Sequence, residues 1–84
     1  MKWSLVIANR AKRHLRRLSA GEQHWISDAL SEMLEDPFRG DVKFLRGLNT
    51  LRKRVGDWRI LYELDEAKRM IVVTAIKRRG SNSY

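Results

Sequence analysis

The sequence predicts an α+β domain: an N-terminal strand, then a two-helix hairpin packed on one face of a mainly antiparallel four-stranded sheet. Three observations lead there. Apolar residues recur at helical spacing through residues 11–34, the period changes from residue 42 onward, and two polar turns divide the second half of the chain.

Residues 2–8 read as a short strand, with Trp3, Leu5 and Ile7 alternating against Ser4 and Val6. Asn9 is the expected cap of a first helix whose apolar residues are Ala11, Leu15 and Leu18. Ser19 and Glu22 have the spacing of a capping box, in which each side chain satisfies a backbone N–H at a helix start. Behind it Ile26, Ala29, Leu30, Met33 and Leu34 form an apolar stripe, and Asp36-Pro37 closes the second helix. Phe44-Leu45-Arg46-Gly47-Leu48 reads as an apolar lead-in with a turn glycine. Residues 51–55 and 58–64 are expected strands joined at Gly56-Asp57. Trp58, Ile60, Tyr62 and Leu64 share one face of the second of these, and Arg59, Leu61 and Glu63 the other. Residues 65–69 form a polar turn, and 70–76 a continuous β-rich run whose faces alternation does not assign.

A length of 84 residues accommodates one domain, over 1–84. No cysteine is present, which removes disulfides, thiolate metal sites and a thiol nucleophile and suits a reducing cytosol. No apolar run is long enough to span a bilayer, and basic residues resume too soon for a signal peptide, so a cytoplasmic location is expected. The net charge of +8 and the pI near 10.6 favour a polyanionic partner. Charge alone leaves open nucleic acid or an acidic protein partner.

Arg52 and Arg54 leave the same face of one strand, and Arg59 on the neighbouring strand can reach that face. Arg78 and Arg79 lie at the end of the last strand, with Tyr84 beyond. Several guanidiniums around one shallow surface hold a phosphate by paired, charge-assisted hydrogen bonds and stabilise the extra charge of a pentacoordinate phosphorus. A nearby Tyr stacks on a base. On spacing alone this reading stands level with an ordinary exposed strand face. His14 and His24 read as helix-surface residues. Asp28, Glu32, Glu35 and Asp36 read as a solvated face rather than metal ligands. Trp25 and Trp58 are expected in the core and Trp3 at a sheet edge. Phosphate loop, dinucleotide glycines, hydrolase serine motif and zinc spacing are all missing from the sequence, so no cofactor or metal is implied.

The second half, LRKRVGDWRILYELDEAKRMIVVTAIKRRGSNSY, resembles the RelE/ParE toxin superfamily. There a lead-in of the form L-x-G runs into a strand ending R-x-G-[DN]-[YW]-R-[IV]-[IL]-Y, followed by a short turn, a hydrophobic strand, an Arg-bearing end and often a Tyr. FLRGL, RVGDWRILYELD and KRRGSNSY fill those places in order, and the upstream helices, closing at LEDPFRG, complete the likeness.

The resemblance implies a toxin of a type II toxin–antitoxin system, closest to the RelE-type mRNA interferases. Such an enzyme is a ribosome-dependent endoribonuclease that works without metal, by attack of a ribose 2′-hydroxyl on the adjacent phosphate. The positions matching the family's RNA-cutting site are Arg52, Arg54, Arg59, Arg78 and Tyr84. Lys12, Arg13, Arg16 and Arg17 of the first helix, with Lys53, Lys77 and Arg79, are the expected contacts to RNA and ribosome. The implied partners are a cognate antitoxin, mRNA in the ribosomal A site, and ribosomal RNA. The sequence departs from the best-known pattern where Arg52 and Arg54 replace lysines. Arginine stays charged and cannot act as a general base. Two alternatives share the fold: a ParE-like inhibitor of DNA gyrase, and an inactive relative that binds RNA or antitoxin only.

Overall fold

The computed structural model describes residues 2–45 and 49–78. The elements in chain order are β1 (Ser4–Ile7), α1 (Asn9–Arg16), α2 (Ala20–Glu35), β2 (Asp41–Phe44), β3 (Leu51–Val55), β4 (Trp58–Asp65) and β5 (Met70–Arg78). The sheet has five strands in the order β1-β5-β4-β3-β2. β1 pairs parallel with β5, and every other pairing is antiparallel. The helix hairpin therefore carries the chain across one face of the sheet, from the β1 edge to the β2 edge, and the meander returns it.

Local chemistry sets these boundaries. The capping box is formed: Ser19 Oγ accepts from Glu22 N–H at 3.2 Å, and Glu22 Oε1 accepts from Ser19 N–H at 3.0 Å. Asp36, ahead of Pro37, turns extended at φ −155° and ends α2. Gly56 takes φ +57° in the β3–β4 hairpin, where a side chain would also strike Trp25: an added Cβ would lie 2.2 Å from its ring.

The core lies between the helices and one face of the sheet. Ala11, Ile26, Ala29, Leu30 and Met33 meet Leu51, Trp58, Ile60, Tyr62, Ile71, Val73 and Ile76, all buried. Each large aliphatic side chain so placed contributes about 1.5–3 kcal/mol of burial. Tyr62 is fully buried, and its hydroxyl donates to the carbonyl of Pro37, so the polar end is satisfied and the α2–β2 loop is tied to the sheet.

Four expectations require correction. The sheet has a fifth strand, β2, an edge segment of four residues that turns only Val42 inward and so shows no alternation in sequence. Asn9 is the first helical residue, not the cap; Ala8 occupies the cap position and makes no side-chain bond there. Trp25 is 49% exposed, lying over the Gly56 turn rather than in the core. Lys53, on the strand expected to offer it to RNA, is turned inward and buried. Its ammonium donates to the Arg39 carbonyl at 2.9 Å and sits 3.6 Å from Glu32 Oε1 on α2.

Candidate nucleic-acid interface

The strand register assembles one row of charged side chains on the sheet face away from the helices. Asp41 lies opposite Arg54, Arg54 opposite Arg59, and Arg59 opposite Lys77, across β2, β3, β4 and β5. Directly opposed residues stand about 4.5–5.5 Å apart at Cβ, so three cations crowd a single line. Arg54 reaches Asp41 Oδ2 at 3.8 Å with its guanidinium still partly exposed. Burial lowers the pKa of the Lys77 ammonium, and neighbouring Arg10 adds to the effect. Arg59 and Lys77 are partly buried, so the row is a shallow shelf rather than a set of mobile side chains.

Arg52 projects from the same face but is 6% exposed, and its Nη1 donates to Asp41 Oδ1 at 3.3 Å. It braces Asp41, where the sequence had offered it to a phosphate. Arg78 lies opposite Trp58, on the helix-facing side of the sheet. Its guanidinium carbon lies 5.0 Å from the Trp58 ring centroid, and Nη2 donates to Glu22 Oε2 at 3.1 Å. The structure thus brings Arg54 and Arg59 together with Lys77 and sets Arg78 on the other side of the sheet. Arg79 and Tyr84 lie outside the described residues. Lys12, Arg13, Arg16 and Arg17 are exposed along and just after α1, and Arg17 lines a cavity together with Lys77 and Arg78.

Sequence reasoning placed His14 on the helix surface. It is partly buried at the α1–β5 junction, and its Nδ1 accepts the backbone N–H of Ile76 at 3.1 Å. The bond fixes a neutral ring with its proton on Nε2. Burial lowers the His14 pKa, and Lys77, Arg10, Arg17 and Arg13 push it further down. The signal was in the sequence: Ala11, His14, Leu15 and Leu18 share one helical stripe. His24 is exposed and lies 3.6 Å from Asp28, one turn along α2. Among the described residues no helix is long and apolar enough to cross a membrane.

A five-stranded sheet of this order with a helix hairpin on one face is the fold of the solved RelE structures. The sequence profile of the family described as "ParE toxin of type II toxin-antitoxin system, parDE" matches residues 5–82, and the chain belongs to that family. No curated protein sequence matches it significantly. Solved structures share its fold. The toxin–antitoxin complex RelBE2 from Mycobacterium tuberculosis aligns at 23% identity over 94% of this chain and 100% of the other, with a TM-score of 0.86. The archaeal RelE–RelB complex from Pyrococcus horikoshii OT3 aligns at 22% identity over 95% and 98%, with a TM-score of 0.82. The intact RelBE complex of E. coli aligns at 21% over 94% and 99%, with a TM-score of 0.79.

Proposed function

We propose that the protein is a ribosome-dependent endoribonuclease toxin whose cutting surface is the Arg54–Arg59–Lys77 row. The observation that carries this reading is the row itself. Opposed like charges disfavour a hairpin, and an RNA phosphate removes the conflict by lying between them. Arg54 and Arg59 hold the scissile phosphate and stabilise the charge that builds on its oxygens. Lys77 is the one member of the row that can exchange a proton, because arginine stays charged. In its neutral form it takes the proton of the 2′-hydroxyl as the 2′-oxygen bonds to phosphorus. The bond from phosphorus to the 5′-oxygen breaks, that oxygen takes a proton from water, and a 2′,3′-cyclic phosphate and a 5′-hydroxyl remain. No metal enters the scheme. The protein acts by orienting the substrate, and the ribosome supplies the RNA geometry. The solved relatives are toxins in complex with antitoxins, which supports a cognate antitoxin as the natural partner of this chain.

A second reading is gyrase inhibition. The ParE description of the matching family favours it, as does the separation of Arg52 and Arg78 from the row. Brief expression in growing cells, followed by primer extension on a defined mRNA and by plasmid supercoiling analysis, separates the two. New RNA 5′ ends within codons with normal supercoiling support the ribonuclease. Altered supercoiling without new ends supports the gyrase inhibitor.

A further inference from the structure

Two aromatic side chains meet solvent at the end of the sheet away from the β3–β4 hairpin. Phe38, in the loop between α2 and β2, is 50% exposed, and Phe44, the last residue of β2, is 65% exposed. Both line one cavity of about 340 Å³, together with Leu51, Leu64, Glu63 and Glu66. Neither aromatic is carried on a loose segment. The Phe38 N–H donates to Asp36 Oδ1 at 2.9 Å, the Arg39 N–H donates to the Asp36 carbonyl at 3.2 Å, and the Pro37 carbonyl between them accepts from the buried Tyr62 hydroxyl. Phe44 lies opposite Leu51 in the β2–β3 register, so it belongs to the core side of the sheet and is nevertheless left in solvent. Clustered exposed apolar side chains mark contact surfaces, and aromatic anchors already held in place lose little freedom on binding.

The lining has the opposite sign to the molecule as a whole. The chain carries a net +8, yet Glu63, Asp65 and Glu66 fall within four residues, and two of them border this cavity. Asp65 Oδ1 is taken up by the Lys68 N–H at 3.2 Å. Among the described residues no cation lies within ion-pair distance of Glu63 or Glu66. Lys43 and Arg52, opposed in register, belong to the other face of the sheet, with the basic row. Exposed charges more than about 8 Å apart are largely screened at physiological ionic strength, so the two carboxylates weigh more here than the row does. An RNA phosphate or an acidic peptide is repelled by such a rim; a lysine or arginine is attracted.

We propose that this cavity docks a basic segment of another protein, an extended stretch that sets one large apolar side chain between Phe38 and Phe44 and brings a lysine or arginine to Glu63 and Glu66. The surface is separate from the Arg54–Arg59–Lys77 row, so the proposal stands whatever the row binds. An acidic segment, which the net charge of the chain attracts, belongs on the basic faces and not here.

The test is a titration of the isotope-labelled full chain, followed by NMR, with an end-blocked pentapeptide of sequence KLFLK. The acidic counterpart ELFLE and the apolar-free KSSSK are the comparison probes. The expected result is saturable shifts of the Phe38 and Phe44 amides with KLFLK and weaker binding of both comparison peptides. Affinity for KLFLK should fall about fivefold or more in Phe44→Ser and in Glu66→Lys. It should fall by much less in Asp57→Lys, the same charge reversal in the exposed β3–β4 turn at the other end of the sheet. Amide dispersion checks that each variant is folded, and Glu66→Lys, in an exposed turn, carries the test if Phe44→Ser is not. The proposal is overturned by the lack of saturable shifts at Phe38 and Phe44, or by equal binding of ELFLE or KSSSK. Unchanged affinity in folded Phe44→Ser, or equal losses in Glu66→Lys and Asp57→Lys, overturns it too.

Discussion

Arg54 and Arg59 are directly opposed across the β3–β4 hairpin, with Lys77 opposite Arg59 on β5. Such a pairing costs the fold a few tenths of a kcal/mol up to about 1 kcal/mol. Asp41 offsets part of that cost at the Arg54 end of the row, and on the proposed function a phosphate bound there would offset more. Arg59→Ala should leave the protein folded, by its urea transition, while lowering RNA cleavage about 10²-fold or more. A parallel loss of stability and cleavage would assign Arg59 to the framework.

Lys77 gives the row a pH signature. Its pKa is lowered by burial and by Arg10, so the neutral base becomes available at lower pH than on a free lysine. Cleavage by the wild type should rise with pH along a basic limb until Lys77 is fully deprotonated. Lys77→Arg keeps the charge and removes the proton acceptor. The expected outcome is a cleavage rate at least about 10²-fold lower, with the Lys77 limb lost from the pH profile. A variant with unchanged rate and profile would place proton transfer elsewhere.

His14 links stability to acid. The fold holds its pKa below 6.5, and protonation of Nδ1 would break the bond from Ile76. As pH falls, the unfolded chain takes up this proton first. The stability conferred by neutral His14 is complete above about pH 6.5 and declines as pH falls through the folded-state value. Urea denaturation at pH 7.5 and pH 5 should show the decline in the wild type, and a reduced pH dependence in His14→Gln, which keeps an acceptor and cannot titrate.

Tyr62 behaves in the opposite sense. Burial, with a smaller effect from Asp36, pushes its phenol up to about 12. The unfolded chain loses that proton near pH 10 while the folded chain holds it. Stability from Tyr62 is complete below pH 10 and falls between about 10 and 12. Absorbance titration should show Tyr62 ionising only above pH 11, or with unfolding. Tyr62→Phe leaves the Pro37 carbonyl without its donor and should cost about 1–2 kcal/mol.

Chain punctuation was readable from sequence because it acts locally. The Ser19–Glu22 box, the Asp36-Pro37 stop and the Gly56-Asp57 hairpin each depend on neighbours within a few residues. Arg54 and Arg59 on one face followed from strand parity and an adjacent turn. Parity failed on β5, where the β4 register slips between Leu61 and Tyr62, leaving Thr74 as an extra residue that donates to the Leu61 carbonyl at 3.2 Å. That extra residue resets which side chains face inward. The uninterrupted apolar run hides the change, so the faces of Lys77 and Arg78 could not be assigned. The groups that receive Lys53 were hidden for a different reason. An inward lysine is tolerated only because Glu32 and the Arg39 carbonyl arrive from distant segments, and no local pattern announces that meeting.

The most direct test of the central claim is in vitro cleavage of a defined mRNA by purified protein on programmed ribosomes, with RNA 5′ ends mapped for the wild type and for Arg54→Ala/Arg59→Ala. The row predicts ribosome-dependent cuts within codons by the wild type, 5′-hydroxyl ends, and their disappearance in the folded double variant. Undiminished cutting by the double variant, or a stable wild type that yields no new ends while inhibiting supercoiling by gyrase, would contradict it.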